Sequence, residues 1–222
     1  MQVNILAGGY PDLWPTDIFD QPGVWIGADR GAWRLLKAGV NFQLAVGDFD
    51  SLNPQEYQFL KEHFQQENIK QVPTVKDFTD TQLALQMAMT FDCDLIKVYG
   101  ATGGRVDHWL SNLWIINEPV FQPIIEKVHF VDCQNDISYL QPGYKTIQHL
   151  PGMKYLGFMP LGLVDNLHII DAKYTLTSAV NWPKMWSSNE FVDELVHVSF
   201  DSGIIMVTQT KDRSNDDSSS SN

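Results

Sequence analysis

The first half of the chain alternates short apolar runs with longer segments in which apolar residues recur at helical spacing. The apolar runs at 3–7, 24–28, 44–47, 69–72 and 95–100 are predicted to be buried strands. The intervening segments GAWRLLKAG, NPQEYQFLKEHFQQ, TDTQLALQMAMTF and DHWLSNLWIIN are predicted to be helices. This order is typical of an α/β domain with a parallel, Rossmann-like sheet and right-handed crossovers.

The pattern changes after residue 126. Short strand-like runs such as KYLGFMPLG, NLHIIDAKYTL and ELVHVSFDSG are separated by Pro-Gly, Leu-Gly and Asp-Ser-Gly turns. Their spacing predicts a β-sandwich or barrel of about seven strands. We therefore predict an α/β domain over residues 1–126 and an all-β sandwich over 127–211, followed by a disordered tail, 212–222, without apolar residues.

Composition narrows the classes of protein that the chain can belong to. With 222 residues, 44% of them hydrophobic, the chain is long enough to bury a core, and its net charge of -12 argues against a nucleic-acid binder. It contains no apolar run of about 18 residues and no secretion signal, so we expect no membrane partner. Cys93 and Cys133 form no Cys-x-x-Cys pair, which favours a reducing compartment. We expect a cytoplasmic protein.

Two aspartates follow the third predicted strand in the segment VGDFDS. On an extended backbone Asp48 and Asp50 would project to the same side, because strand side chains alternate. Carboxylates that lie so close repel each other unless they share a proton or hold a cation, and Mg²⁺ is commonly held by one or two carboxylates with substrate phosphates. Aspartate also forms ordinary turns and helix caps, so this pair alone does not establish a metal site.

Polar loops follow four of the predicted strands, at the sheet edge where parallel α/β domains bind ligands. The loops are ADRGA, GDFDS, KDFTD and GATGGRVDH. Together they contain six aspartates and three basic residues: Asp29, Asp48, Asp50, Asp77, Asp80 and Asp107, with Arg30, Lys76 and Arg105. Since carboxylates hold cations and basic side chains bind phosphate oxygens, the four loops predict a metal and phosphate site.

Each loop also has a purely structural interpretation. Thr79 and Gln82 fit a capping box, Asp80 would suit the first turn of that helix, and Asp107 would cap the next one. Glycine clusters are often plain turns, and His108 would then be only a hydrogen-bonded neighbour. The chain contains neither a Walker loop nor G-x-G-x-x-G, so a nucleotide would bind without either motif.

The segments GADRGAWRLLKAGV, VGDFDSL, KDFTDTQLAL and GATGGRVDHWLSNL resemble successive blocks of the thiamine pyrophosphokinase family, in the same order and with similar spacing. The later KYTL and SSNEF resemble segments of that family's thiamine pocket. The resemblance implies transfer of pyrophosphate from ATP to the hydroxyl of thiamine, with Mg²⁺, releasing AMP. It also implies a homodimer whose active sites lie at the subunit interface, between the nucleotide domain of one subunit and the sandwich of the other.

The same resemblance implies roles for individual residues. Mg²⁺ would be held by Asp48, Asp50 and Asp77, and the catalytic group would also include Asp80 and Arg105. Nucleotide-binding positions would be Asp29, Thr102, Gly103, Gly104, Arg105, Asp107 and His108. Thiamine would be bound by Tyr174, Ser188 and Asn189. The chain departs from the family at Arg30, where glycine is usual, and at Tyr174, where tryptophan is frequent.

Catalysis of such a transfer would depend on charge neutralisation and in-line positioning. One aspartate of the cluster, with Asp80 as the candidate, would accept the hydroxyl proton, but sequence does not distinguish a general base from a metal ligand. Alternatives are a pyrophosphokinase with a pterin-type acceptor, a metal-dependent phosphohydrolase and a non-catalytic nucleotide sensor. The segments containing Tyr174, Ser188 and Asn189 favour thiamine over a pterin.

Overall fold

The computed structural model describes residues 1–71 and 78–213, so Asp77 and the predicted tail beyond residue 213 lie outside the described residues. The chain divides into two compact units, Met1–Cys133 and Gln134–Asn222, which we call unit 1 and unit 2.

The strands of unit 1 are β1 (Gln2–Leu6), β2 (Val24–Ala28), β3 (Leu44–Gly47), β4 (Ile69–Gln71), β5 (Leu95–Tyr99) and β6 (Val128–Val131). Its α-helices are α1 (Arg30–Lys37), α2 (Pro54–His63), α3 (Asp80–Ala88) and α4 (Val106–Trp114). The strands form a sheet in the order β6-β5-β1-β2-β3-β4, and all neighbouring strands are parallel. The predicted parallel sheet and its intervening helices are confirmed.

Local sequence explains where two of these helices begin. The Asn53 side chain accepts a hydrogen bond from the backbone of Glu56, whose side chain accepts one in return, and Pro54 occupies the first turn of α2. Thr79 and Gln82 form the same reciprocal arrangement at α3. The predicted capping box is therefore confirmed, and Asp80 lies in the first turn, where a negative charge is favourable.

Helix α1 lies so close to β1 that one position has no room for a side chain. A Cβ atom on Gly31 would overlap the carbonyl oxygen of Leu6 and lie 2.6 Å from its carbonyl carbon. We expect Gly31→Ala to lower the free energy of unfolding by about 1 to 3 kcal/mol, because backbone must move to relieve the overlap. The measurement is denaturant unfolding beside Gly162→Ala, whose new methyl group would meet nothing within 4 Å. Equal stability of the two variants would contradict the close approach of α1 to β1.

The boundary between the units differs from the predicted one at residue 126. Strand β6 pairs in parallel with β5, with Ile96 opposite Val128, and belongs to unit 1. Buried and half-buried residues alternate along β6, which is typical of antiparallel strands with one face in the core. The sequence therefore predicted that this strand belongs to the sandwich.

Unit 2 consists of two antiparallel sheets. The strands are β7 (Asn135–Leu140), β8 (Gly143–Gln148), β9 (Tyr155–Pro160), β10 (Val164–Ile169), β11 (Leu176–Asn181), β12 (Trp186–Asn189), β13 (Leu195–Phe200) and β14 (Ile205–Thr210). One sheet has the order β12-β9-β14-β7 and the other β11-β10-β13-β8. Both sheets contribute to one buried cluster, which includes Phe158, Leu167, Val198 and Val207.

Two further sequence predictions concern cysteines and membrane spans. Cys93 is buried, Cys133 is half-buried, and neither forms a disulfide. Among the described residues, no helix combines the length and the apolar character that crossing a bilayer would require.

Candidate active site

Unit 1 contains a cavity of about 930 Å³ at the carboxyl ends of β1, β2, β3 and β5. Ligand sites of parallel α/β sheets occur at this edge. The cavity is lined by every predicted unit 1 site residue that the structure describes: Asp29, Asp48, Asp50, Asp80, Thr102, Gly103, Gly104, Arg105, Asp107 and His108. The structure therefore brings the predicted loops together.

Three carboxylates converge on one side of the cavity. Asp29, Asp48 and Asp50 each offer an oxygen, and these oxygens all lie within 4.8 Å of one another. The metal ligands predicted from the sequence were Asp48, Asp50 and Asp77, and Asp29 was predicted to bind the nucleotide. We call Asp29, Asp48 and Asp50 the carboxylate group.

The loop that carries two of these carboxylates differs from the extended strand that the sequence suggested. Strand β3 ends at Gly47, and Phe49 adopts a left-handed backbone with φ 61°. The Phe49 ring is buried and stacks on Tyr57 at 5.6 Å between centroids. Asp48 also accepts a hydrogen bond from the backbone N–H of Asp50 at 3.1 Å. A turn anchored by a buried ring, rather than strand alternation, brings the two carboxylates together.

Asp29 is held in a strained and partly buried position at the start of α1. Its backbone has φ 50°, a conformation that non-glycine residues rarely adopt. Burial raises the pKa of its carboxyl group, and the charges of Asp80 and Asp50 act in the same direction. Ser51 lowers this pKa somewhat, but Asp29 Oδ1 and Ser51 Oγ are buried and form no hydrogen bond of normal geometry among the described residues.

The donor set fits a magnesium ion. Mg²⁺ takes oxygen ligands and is usually bound through a few carboxylates together with water and phosphate. The carboxylate group offers three such oxygens, and the buried Asp29 Oδ1 accepts no hydrogen bond from residues 1–71 or 78–213. Bound positive charge would offset the cost of gathering three negative groups here.

Asp80 lies beside the carboxylate group. Its Oδ1 is 3.1 Å from the place that a Cβ atom on Gly47 would occupy, and its charge raises the pKa of Asp29. Glycine at position 47, with φ 145°, thus leaves room for the Asp80 side chain. Asp77, the third predicted metal ligand, lies outside the described residues.

Arg30 contacts the loop that carries Asp48 and Asp50. This arginine stands where the family that the sequence resembles usually has glycine. Its Nη2 donates to the carbonyl oxygen of Ser51, and its Nη1 lies 3.3 Å from Glu56 Oε1 on α2. The guanidinium group therefore links the start of α1 to the Asp48–Asp50 turn and to the next helix.

A fifth loop of the cavity, Gly8–Gly9 after β1, was not among those predicted from the sequence. Arg34 Nη1 donates to the carbonyl oxygens of both glycines, with a distance of 3.0 Å to Gly8. Burial lowers the pKa of Arg34, whose guanidinium carbon lies 5.3 Å from the Trp14 ring centroid. The available signals were a glycine pair after a predicted strand and an arginine one helical turn beyond Arg30.

The glycine loop after β5 packs tightly against its neighbours. Gly103 and Gly104 have φ of 71° and 70°, and side chains there would meet Leu13 and the Tyr10 ring respectively. Thr102 is buried, and its hydroxyl donates to Asp132 at 2.7 Å. The Thr102 side chain thus fixes the loop, while all three residues line the cavity.

Arg105 and Asp107 form an exposed ion pair at the cavity rim. Arg105 donates from Nη2 and Nε to Asp107 at 2.6 and 3.1 Å. The hydrogen bond from Arg105 lowers the pKa of Asp107. Asp107 does not cap α4, because the cap position is occupied by Arg105 and has no side-chain cap. His108 is exposed and also lines the cavity.

The three predicted thiamine residues are neighbours in unit 2. The Tyr174 ring is exposed, Ser188 is exposed with φ 60°, and Asn189 is buried. The Asn189 amide is hydrogen-bonded to the Tyr174 backbone through both Oδ1 and Nδ2. The structure therefore brings Tyr174 and Asn189 together.

Comparison with known proteins gives matches over both units. Residues 16–126 match the family model described as thiamin pyrophosphokinase, catalytic domain, and residues 145–205 match the thiamin pyrophosphokinase vitamin B1 binding domain. The chain is 33% identical to the thiamine pyrophosphokinase of Bacillus subtilis over 95% of this chain and 99% of the relative.

Solved structures give the same result. A thiamin pyrophosphokinase family protein from Enterococcus faecalis is 44% identical, with a TM-score of 0.89 over 96% of this chain and 100% of that one. Thiamin pyrophosphokinase from Geobacillus thermodenitrificans is 30% identical, with a TM-score of 0.84 over 96% and 99%.

Proposed function

This chain belongs to the thiamin pyrophosphokinase family, and we propose that it transfers the pyrophosphoryl group of ATP to the hydroxyl of thiamine with the help of Mg²⁺. It is an enzyme that makes thiamine diphosphate, and its family uses ATP as co-substrate. The observation that carries the mechanistic proposal is the convergence of Asp29, Asp48 and Asp50 in the cavity of unit 1.

The proposed reaction is a displacement at the β-phosphorus of ATP. The thiamine oxygen forms a bond to this phosphorus, the bond from the phosphorus to the oxygen bridging the α- and β-phosphates breaks, and AMP leaves with that oxygen. The hydroxyl proton passes to a carboxylate of the site or to solvent. Such transfers are catalysed mainly by positioning and by neutralising charge.

The residues of unit 1 have separate tasks in this proposal. Asp29, Asp48 and Asp50 would hold Mg²⁺, which when bound neutralises phosphate charge and helps to orient the phosphates. Arg34 and Arg105 add positive charge, and the glycine loop at residues 103–104 lets backbone approach the nucleotide. Asp77, Asp80, Thr102, Asp107 and His108 remain proposed members of the catalytic and nucleotide-binding site.

The reaction is tested by incubating the purified protein with ATP, MgCl₂ and thiamine and measuring both products. We expect AMP and thiamine diphosphate in equal amounts, and neither when thiamine is omitted. Release of inorganic phosphate without thiamine diphosphate would indicate a phosphohydrolase and contradict the proposal. ATP binding without turnover would indicate a nucleotide sensor.

We also propose that two copies of the chain form a homodimer in which the second copy completes each active site. Exposed apolar side chains support an interface: Val106, Trp109 and Leu110 are spaced along one face of α4, and they are 63%, 37% and 47% exposed. Unit 2 exposes Tyr174 and Trp182 by 60% and 71%. Patches of this kind commonly mark protein or ligand contacts.

Mixing two impaired variants tests the shared site. Asp48→Asn and Ser188→Ala are each expected to be impaired, whereas exchanged subunits would contain one site free of both substitutions, because each defect lies in a different unit. We expect activity to rise after mixing. The control mixes Asp48→Asn with Asp50→Asn, which lie in the same unit and would restore nothing. If subunit exchange is demonstrated and activity does not rise, the shared-site proposal is wrong.

A further inference from the structure

The side chain of Asn189 is buried and hydrogen-bonded to main-chain groups. Only 4% of the residue is exposed. Its Oδ1 accepts hydrogen bonds from the backbone N–H groups of Tyr174 and Glu190, both at 2.9 Å. Its Nδ2 donates to the carbonyl oxygen of Tyr174 at 2.8 Å. The amide therefore pairs with both backbone polar groups of Tyr174, as a neighbouring strand would.

These bonds use most of the hydrogen-bonding capacity of the Asn189 side chain. An asparagine amide has two acceptor sites on its oxygen and two N–H donors. Both acceptor sites of Asn189 are used by the chain, and so is one donor. A ligand that needed a hydrogen-bond acceptor would have to displace one of these internal bonds.

A local irregularity of β12 turns Asn189 inward. Trp186 pairs with Phe158 and Asn189 with Leu156, so three steps along β12 oppose two along β9. An extra residue of this kind bends a strand and re-aims its side chains. Ser188, with its left-handed backbone, lies within the irregular stretch and is exposed, while the next side chain is buried.

A second set of contacts supports the same segment. The backbone N–H of Lys173 donates to the carbonyl oxygen of Glu190 at 3.0 Å, and Lys173 Nζ lies 2.6 Å from Glu190 Oε1. Tyr174 as a whole remains 60% exposed, with Lys173 Nζ at 5.7 Å from the centroid of its ring. The backbone of Tyr174 is thus fixed while its ring stays available to a ligand.

We propose that Asn189 is a positioning residue: it fixes the backbone of Tyr174 so that the exposed ring meets the aromatic, cationic acceptor, and it does not itself contact that ligand. This inference rests on the proposed function, because the acceptor is thiamine. It differs from the sequence prediction, in which Asn189 bonds to thiamine directly. Aromatic and cation–π contacts depend on ring placement, so releasing the backbone weakens them.

A double-mutant cycle separates the two roles. Thiamine is titrated by calorimetry into the wild type, Asn189→Ala, Tyr174→Ala and the double variant. We expect each single variant to lose about 2- to 30-fold in thiamine affinity, the range of one aromatic and cation–π contact. In the Tyr174→Ala background, Asn189→Ala should cost little more, because coupled residues are not additive. Additive losses, or an unchanged affinity in Asn189→Ala, would overturn the proposal.

Asn181→Ala is the matched control for a general loss of stability. Asn181 is also 4% exposed in unit 2, and its amide donates to the carbonyl oxygens of Val164 and Ser178. It should lower the unfolding temperature much as Asn189→Ala does, yet leave thiamine affinity unchanged. ATP affinity should be unchanged in all these variants. A thiamine loss in Asn181→Ala as large as that in Asn189→Ala would overturn the positioning role.

An isosteric variant keeps the test decisive if Asn189→Ala does not fold. Asn189→Asp retains an acceptor for the two N–H groups but directs an oxygen at the Tyr174 carbonyl, so it should also lose thiamine affinity. Wild-type affinity for thiamine in a folded Asn189→Asp protein would contradict the positioning role of Asn189. Unchanged thiamine affinity in Tyr174→Ala would show that the Tyr174 ring does not bind thiamine and would overturn the positioning proposal. Absence of thiamine binding by the wild type would instead contradict the proposed function itself.

Discussion

Asp48→Asn is expected to lower turnover about 100-fold or more, because removing a charged ligand from a catalytic metal site costs several kcal/mol of transition-state stabilisation. Asp48 shares the carboxylate group with Asp29 and Asp50, and it also accepts the hydrogen bond from the Asp50 N–H. Asparagine keeps a side-chain oxygen for that hydrogen bond. The fold should therefore survive while affinity for Mg²⁺ and the reaction rate fall.

The measurement combines steady-state turnover over a range of MgCl₂ concentrations with thermal unfolding. Asp92→Asn makes the same change of charge at an exposed position of unit 1 that does not line the cavity, so it should behave like the wild type. Near-normal turnover in a folded Asp48→Asn protein would rule out its metal role.

Arg105→Ala is expected to weaken ATP binding roughly 10- to 150-fold, the range for losing one charged hydrogen bond. Arg105 is paired with Asp107 at the cavity rim, and its side chain is 73% exposed. The guanidinium fork must leave this ion pair, at least in part, to reach phosphate oxygens. We therefore expect an effect near the lower end of the range.

Direct titration of each ligand is the suitable measurement, because KM equals a dissociation constant only when chemistry is slow. Thiamine affinity should be unchanged, since the proposed thiamine residues Tyr174 and Ser188 belong to unit 2. Arg213→Ala removes an exposed arginine from unit 2 and serves as the control. A loss of thiamine affinity in Arg105→Ala, with ATP binding intact, would contradict the assignment of ligands.

Much of unit 1 follows from its sequence because strong local signals agree with the packing. Apolar runs of strand length alternate with amphipathic segments, and the Thr79–Gln82 box marks the start of α3. The loops containing Asp48 and Gly103 follow predicted strands, and parallel topology alone brings such loops to one edge. Sequence could therefore predict the edge at which the candidate site lies.

Other features depend on backbone geometry that residue types do not specify. Asp29 joins the carboxylate group through a left-handed backbone at its own position, and Phe49 turns its loop in the same way. Phenylalanine rarely adopts φ > 0. Aspartate does so more often, but residue type alone does not say which aspartate will. The burial of Asn189 depends on an extra residue in β12, which strand alternation cannot reveal.

The fate of the β-phosphorus of ATP tests the central claim most directly. ATP labelled at the β-phosphate is incubated with the enzyme, MgCl₂ and thiamine, and the products are separated. Transfer of an intact pyrophosphoryl group predicts that all consumed label appears in thiamine diphosphate and that the AMP is unlabelled. Label recovered in ADP, with thiamine monophosphate as the other product, would contradict attack at the β-phosphorus and the account built on it.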